Sequence, residues 1–285
     1  MLLRLLHRTT FVYAGEVRDS YNEVRLRPAD DHTQACRDFT LHLEPGAETS
    51  EYTDFYGNVI IHFDIPSKHR KLVIESRADV VTVPNGSRAA IPEVPFPDLV
   101  RSEEREMVAE FLTDSQYVPL EVELWREAQD ALADGRGDVW GDVNRIGRHV
   151  FGALAYKPNV TGVHTHAGDA LKLRAGVCQD FAHVMIGMCR NADIPARYVS
   201  GYFLNAHRRP GEVEASHAWM EAFVPGYGWA AYDPTHDRPA DDRYVKLAVG
   251  RDYADIRPVS GTYRGAPAKE LKVEVTVNRD ASDPL

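Results

Sequence analysis

A cysteine, a histidine and an aspartate follow one another in the second half of this 285-residue chain. Cys178 lies in the run Gly-Val-Cys-Gln-Asp-Phe-Ala-His, His217 in Ser-His-Ala-Trp, and Asp233 in Tyr-Asp-Pro-Thr. A thiol, an imidazole and a carboxylate are the components of a nucleophilic acyl-transfer site. The thiolate attacks a carbonyl, the imidazole moves a proton, and the carboxylate orients the imidazole. Whether the three residues can act together depends on the elements that position them.

Cys178 is predicted to begin a helix that runs to Ala192. Apolar residues recur there at three- and four-residue steps, at Phe181, Val184, Met185, Met188 and Ala192. The first turn of a helix has free N–H groups and partial positive charge, which favour a thiolate and can stabilise an oxyanion. A small buried cysteine is the structural alternative.

His217 and Asp233 are predicted to meet on a β-hairpin. Residues 216–224 alternate between two faces, and a Pro-Gly-Tyr-Gly turn and a short return strand follow. If Phe223 pairs with Trp229, the carboxylate becomes a diagonal neighbour of the imidazole on one face, about 7–8 Å away between backbones. A two- or four-residue loop would place Asp233 on the wrong face. An ordinary hairpin histidine and turn aspartate are the structural alternative.

Four segments together resemble the bacterial transglutaminase-like superfamily. They are residues 176–183, 194–202, 216–219 and 232–235. Upstream, residues 151–161 resemble the segment that precedes the catalytic helix of this family. Residues 7–13 and 22–28 resemble the β-rich N-terminal domain that many of its members carry. The triad of the family maps onto Cys178, His217 and Asp233.

The resemblance implies an α+β fold with two parts. An N-terminal antiparallel β-sandwich would precede a papain-like catalytic domain, in which the cysteine-bearing helix packs on an antiparallel sheet. It also implies a cysteine-dependent enzyme that acts on peptide or glutamine amides through a thioester. Hydrolysis by a protease or deamidase is favoured, because water is abundant and its exclusion needs a specialised cleft. A cross-linking transglutaminase and a non-catalytic peptide-binding module remain open.

Four further side chains are predicted to line the substrate cleft. Gln179 follows the nucleophile, Trp219 shares its predicted strand face with the histidine, and Tyr156 and Tyr202 lie in segments that carry the resemblance. Burial in the core is the alternative for the three aromatic residues. The backbone N–H of the nucleophile itself is predicted to be the primary oxyanion donor.

No metal ion or other cofactor is predicted. The best metal-binding candidates among the twelve histidines are His164, His166 and His236, the last of which is followed by Asp237. Zinc needs three or four ligands at suitable spacing, and the sequence has no HExxH motif. These histidines are therefore interpreted as ordinary loop residues.

The overall composition predicts a soluble globular protein, with 44% hydrophobic and 27% charged residues. The net charge of −10 argues against a nucleic-acid-binding surface. No stretch approaches the roughly 20 apolar residues of a membrane span, and the N-terminal apolar run is too short for a signal peptide. No CxxC pair occurs among the three cysteines, which are Cys36, Cys178 and Cys189. Unpaired thiols without a targeting segment predict a cytoplasmic protein.

The chain is predicted to form two domains. Residues 1–84 form the β-sandwich, residues 85–97 a proline-rich linker, and residues 98–285 the catalytic domain, which ends in a half-buried strand. Its helices before the cysteine are predicted at residues 102–112, 122–133 and 139–154. The basic segment 207–211 is predicted to be a loop near the cleft. The expected partner is a peptide or protein substrate, with no membrane contact, and exposed strand edges would allow a homodimer.

Overall fold

The computed structural model describes residues 1–205 and 216–280. It contains two antiparallel sheets and a layer of helices, so the predicted α+β class is confirmed. No helix in the described ranges is long and apolar enough to cross a membrane. The predicted loop at 207–211 lies outside the described residues.

The N-terminal sheet is built around its first strand, β1. The strands of this region are β1 (Leu2–Val24), β2 (Gln34–Glu44), β3 (Thr49–Thr53), β4 (Val59–Ile65) and β5 (His69–Thr82). The first half of β1 pairs with β5, and its last residues pair with β4. Buried residues from both sides, such as Phe63 on β4 and Leu72 on β5, belong to one core. The two arms of the sheet thus form the layers of a sandwich.

The helical layer lies between the two sheets in the sequence. It consists of α1 (Phe96–Arg101), α2 (Glu104–Met107), α3 (Val122–Ala131), α4 (Val139–Ala153), α5 (Ala167–Leu173) and α6 (Cys178–Asn191). Helices α3, α4 and α6 confirm the sequence predictions to within two residues. The single helix predicted over 102–112 is wrong. The backbone leaves helical geometry at Val108, with φ −119° and ψ 13°, so α2 ends there and a short 3-10 turn follows.

The second sheet packs on helix α6. The strands in this part of the chain are β6 (Ala155–Tyr156), β7 (Ala175–Gly176), β8 (Ala196–Phe203), β9 (His217–Val224), β10 (Gly228–Asp233), β11 (Arg238–Pro239) and β12 (Tyr244–Gly250). The strand order is β11-β10-β9-β8-β12, and β6 and β7 form a separate parallel pair. Met220 on β9 shares a core with Phe181 and Met185 on α6. The packing implied by the resemblance is therefore confirmed.

The last two strands return to the N-terminal sheet. Strands β13 (Val259–Gly265) and β14 (Ala268–Arg279) both pair with β1. The predicted half-buried strand is present, with Val275 and Val277 in the core. Its alternating pattern indicated one buried face but not which sheet would receive it. The division of the chain into domains at 84 and 98 stays a prediction.

Two amide side chains of the N-terminal region, Gln34 on β2 and Asn58 in the turn before β4, bind the edge strand β12. The Gln34 amide donates to the carbonyl of Lys246 at 2.9 Å and accepts from its N–H at 2.8 Å. Asn58 makes the same pair of bonds with Val249, at 2.8 and 2.7 Å. An edge strand carries unpaired backbone groups that must be satisfied when it is buried. These amides therefore take the place of a further strand.

We predict that Gly201→Ala strongly destabilises the protein. A Cβ at Gly201 on β8 would lie 2.1 Å from the carbonyl oxygen of Val245 and 2.5 Å from the ring of Trp219. Overpacking against backbone should lower the free energy of unfolding by about 2 kcal/mol or more. Gly152→Ala on α4 is the matched control, because a Cβ there meets nothing within 4 Å. Urea unfolding should show equal or slightly higher stability for the control; similar losses in both variants would contradict the packing.

Candidate active site

Cys178 lies at the first position of helix α6, as predicted. The carbonyl of Val177 accepts the N–H groups of Asp180 and Phe181, at 2.9 and 3.2 Å, which starts the helix. The N–H groups of Cys178 and Gln179 precede these bonds and have no intrahelical acceptor. The Cys178 side chain is partly exposed. A thiol that solvent can reach therefore lies beside two backbone donors.

Asp180, which the sequence analysis did not single out, fixes the entry to this helix. Its Oδ2 accepts from the N–H of Val177 at 2.7 Å and from the hydroxyl of Thr161 at 2.6 Å. Burial raises the pKa of this carboxyl. A Cβ at Gly176 would lie 2.5 Å from the same oxygen, which explains the glycine before the nucleophile. An acidic residue in the first helical turn is the signal that predicts such a cap.

His217 begins β9, and Asp233 ends β10. Phe223 pairs with Trp229, so the predicted hairpin register is confirmed. Nε2 of His217 lies 2.8 Å from Oδ2 of Asp233. The side chain of Cys178 lies beside the imidazole and helps to raise its pKa. Because Nε2 faces the carboxylate, Nδ1 is the ring nitrogen that stays available for proton transfer.

The electrostatic environment of His217 and Asp233 favours the charged form of both side chains. Burial by itself would lower the pKa of His217, but the hydrogen bonds and charges of Asp233 and Cys178 outweigh it and raise the pKa to about 10. Burial by itself would raise the pKa of Asp233, but hydrogen bonds from His217 and His236 hold it well below its usual range. An imidazolium and a carboxylate are therefore the forms expected near neutral pH.

Asp233 is fully buried, and four donors satisfy its carboxylate. Its Oδ2 accepts from His217, from Nδ1 of His236 at 2.6 Å and from the hydroxyl of Tyr244 at 2.7 Å. Its Oδ1 accepts from the N–H of Thr235 at 2.8 Å. Sequence reasoning did not assign His236 or Tyr244 to this carboxylate. The spacing of His236, one turn after the aspartate, was an available signal, whereas Tyr244 reaches it only through the fold.

His217, Asp233 and His236 also form a group that could hold a metal ion, with ligand atoms within 4.8 Å of one another. The ring nitrogens lie 2.8 and 2.6 Å from the carboxylate oxygen, which are hydrogen-bond lengths. Two ligands on one tetrahedral zinc ion would be about 3.3 Å apart. A metal would therefore have to displace both hydrogen bonds. The earlier candidate His164 instead contacts the hydroxyl of Tyr117, at 2.8 Å.

Two of the predicted cleft residues lie next to the thiol. Tyr156 is 55% exposed, and its pKa is raised by burial and then by the charge of nearby Cys178. Gln179 is nearly buried, and its Nε2 donates to the carbonyl of Val163 at 3.0 Å. The Gln179 side chain thus holds the loop 157–166 in place instead of extending freely into a cleft.

The other two predicted cleft residues are each only 1% exposed and offer no accessible wall. The indole of Trp219 stacks on the ring of His217, with centroids 6.1 Å apart at 27°. The hydroxyl of Tyr202 lies 2.8 Å from Nδ1 of His7 in the N-terminal sheet. Gly201 pairs with His217, so the next residue on β8 faces the opposite side of the sheet. Strand alternation therefore moves Tyr202 from the predicted cleft to the core between the sheets.

Comparison with known proteins matches both parts of the chain. Residues 3–81 match the model of the bacterial transglutaminase-like N-terminal region. Residues 126–234, which include the thiol, imidazole and carboxylate described above, match the model of the transglutaminase-like superfamily. An uncharacterized protein of Mycobacterium leprae is 31% identical over 283 residues, which cover 97% of this chain and 98% of that protein.

Two further proteins carry names that describe an activity. The protein-glutamine gamma-glutamyltransferase of Pseudomonas aeruginosa is 32% identical over 157 residues, which cover 50% of this chain and 22% of that protein. The crystal structure of a candidate cysteine protease from Cytophaga hutchinsonii matches with a TM-score of 0.76 at 25% identity. That match covers 100% of this chain and 93% of the other.

We predict that the stabilising effect of His217 depends on pH. Its folded-state pKa of about 10 exceeds its ordinary value of 6.5, so its contribution is fully present below about pH 6.5 and is lost as the pH rises through 10. The difference in unfolding free energy between wild type and His217→Gln should therefore shrink by on the order of 2 kcal/mol between pH 6 and pH 10.5. Urea unfolding at several pH values measures it. A difference that stays constant over this range would contradict the ion pair.

Proposed function

Because the chain belongs to the transglutaminase-like superfamily, we propose that it is a cysteine-dependent acyl-transfer enzyme acting on peptide or glutamine amides through a thioester. The observation that carries the proposal is that the imidazole of His217 is hydrogen-bonded to Asp233 and lies beside Cys178. A thiol at a helix start, an imidazole and a buried carboxylate are the groups that such a reaction requires. In the proposed mechanism these three residues form the catalytic triad.

The first half of the reaction forms the thioester. Cys178 attacks the amide carbonyl carbon as a thiolate, and the carbonyl oxygen takes the electron pair of the broken π bond. The backbone N–H groups of Cys178 and Gln179 are positioned to stabilise this oxyanion. The imidazolium of His217 then donates its proton to the leaving nitrogen as the C–N bond breaks. Ammonia leaves from a glutamine side chain, and an amine leaves from a peptide bond.

The second half of the reaction decides the class of enzyme. In hydrolysis, His217 removes a proton from water, the hydroxide attacks the thioester carbonyl, and the thiolate of Cys178 leaves. We favour hydrolysis because the thiol is partly exposed and the neighbouring Tyr156 is half-exposed. In the described part of the chain, water can therefore reach the sulfur. Attack by a lysine amine would instead give a cross-linked product. The similarity to the Pseudomonas gamma-glutamyltransferase favours this second candidate.

Neighbouring residues support this mechanism without contacting the substrate. Asp233 keeps Nδ1 of His217 directed at the sulfur and stabilises the imidazolium. Trp219 stacks on one face of the imidazole, which limits rotation of the ring. We propose a peptide or protein as the substrate, since the net charge of −10 disfavours nucleic acid. The proposed cytoplasmic location rests on the free thiols of Cys36 and Cys189.

We predict fast alkylation of Cys178 at pH 6. Iodoacetamide should label it at least 10-fold faster in wild type than in His217→Ala, because the imidazolium stabilises the reactive thiolate. Cys36 and Cys189 are internal controls, since burial raises the pKa of both thiols, to about 12 for Cys189. Peptide mass spectrometry measures each rate. Slow labelling in both proteins, rising only near the ordinary thiol pKa of about 8.5, would instead support a peptide-binding module.

We predict that Cys178→Ala lowers turnover of a glutamine peptide by at least about 10³-fold and leaves the unfolding midpoint unchanged. The assay includes a fluorescent primary amine and measures both ammonia release and amine incorporation. Ammonia without incorporation indicates hydrolysis, and incorporation indicates a transglutaminase. Activity that survives in Cys178→Ala but is lost with a chelator would replace the thiol mechanism by a metal-dependent one.

A further inference from the structure

An apolar groove lies beside the candidate active site, between the N-terminal sheet and the catalytic domain. Its volume is about 410 Å³, and its lining residues include Thr9, Val163, Ser216, Leu271 and Val273. None of the residues that line it in the described part of the chain is an aspartate, glutamate, lysine or arginine. The groove is thus an uncharged surface on a protein that carries a net charge of −10.

The groove is connected to the candidate active site through two of its lining residues. Ser216 lines it and immediately precedes His217. Val163 also lines it, and its carbonyl accepts a hydrogen bond from the side chain of Gln179, the residue after Cys178. Each member of the reacting pair is thus one residue along the chain from a residue that lines the groove or contacts its lining.

The floor of the groove continues the core face of the N-terminal sheet. The cross-strand pairs between β1 and β14 in this region are His7 with Val275, Thr9 with Val273, and Phe11 with Leu271. Val275 is in the core, whereas Val273 is 43% exposed and Leu271 is 59% exposed. The apolar face that is buried at Val275 is therefore exposed to solvent at Val273 and Leu271, where it forms the groove floor. Ligand-binding sites are lined mainly by apolar side chains with a few polar groups, as this groove is.

The polar side chains that β1 contributes to the groove floor, His7 and Thr9, are paired and neutral. His7 is bonded to the hydroxyl of Tyr202 and to the hydroxyl of Thr9, each at 2.8 Å. Burial lowers the pKa of His7 to about 4, so its ring is uncharged at neutral pH. A charged ligand group would find no partner at this floor, whereas an apolar side chain would lose only water.

We propose that this groove is a substrate subsite that binds an apolar side chain flanking the reacting amide. The inference rests on the proposed function and specifies its substrate class: a peptide or protein segment with a residue such as leucine, valine or phenylalanine beside the acyl donor. It also gives the N-terminal sheet and the C-terminal strand β14 a direct part in substrate selection.

A pair of peptides tests the preference. They contain one glutamine and differ only in the flanking residue, leucine or serine, placed before the glutamine in one set and after it in another. We expect kcat/KM to be at least 10-fold higher with leucine in one of the sets.

Leu271→Ser should reduce this ratio of kcat/KM for leucine to kcat/KM for serine at least fivefold. Lys272, next to it on β14 with a 58% exposed side chain, points to the other face, so Lys272→Ser should keep the ratio. A ratio of two kcat/KM values is insensitive to the fraction of folded enzyme.

A binding measurement separates the groove from the chemistry. In Cys178→Ala, fluorescence anisotropy of the labelled peptides should show at least fivefold tighter binding of the leucine peptide. The double variant Cys178→Ala, Leu271→Ser should lose this preference. These results would support the subsite even if wild type turned over neither peptide, in which case only the proposed reaction would fail. Equal affinity for both peptides, or a leucine preference that survives Leu271→Ser, would overturn the subsite.

Discussion

The buried carboxylate of Asp233 is the interaction on which the candidate site depends. A carboxylate removed from water costs several kcal/mol unless donors replace the lost hydration. Two imidazole rings, a tyrosine hydroxyl and a backbone N–H supply those donors here. Because three of them converge on one oxygen, His217, His236 and Tyr244 are fixed relative to one another. One carboxylate thus joins strands β9, β10 and β12 and directs the imidazole toward the thiol.

The N-terminal sheet supports this arrangement through strand β12. Tyr244 begins that strand, and Gln34 and Asn58 bind its backbone further along. Lys246 on the same strand adds an ion pair with Asp31, at 2.8 Å. An edge strand without these partners would expose unpaired backbone groups and lose its fixed position. The position of the residues that orient the imidazole therefore depends on the N-terminal sheet, although that sheet contributes none of the three candidate catalytic residues.

The proposed chemistry and the proposed selectivity involve different parts of the chain. The matched transglutaminase-like core, residues 126–234, contains the thiol, the imidazole and the carboxylate. Tyr244 and strand β14 lie beyond it, yet the first binds the carboxylate and the second forms part of the floor of the apolar groove. The C-terminal strand crosses back to pair with β1, which places Leu271 beside Phe11 in the groove. The return of the chain to its first strand thus completes both the sheet and the groove.

The sequence by itself determined the elements whose signal is local. The apolar spacing after Cys178 predicted helix α6, and the turn and alternation predicted the pairing of Phe223 with Trp229. Side-chain periodicity records which face of an element is buried, so it can be read without the fold. It does not record what covers that face. Only the tertiary structure decided that Tyr202 meets the N-terminal sheet and that Tyr244 binds Asp233. Partners distant in sequence are chosen by the packing of whole sheets, which no local pattern encodes.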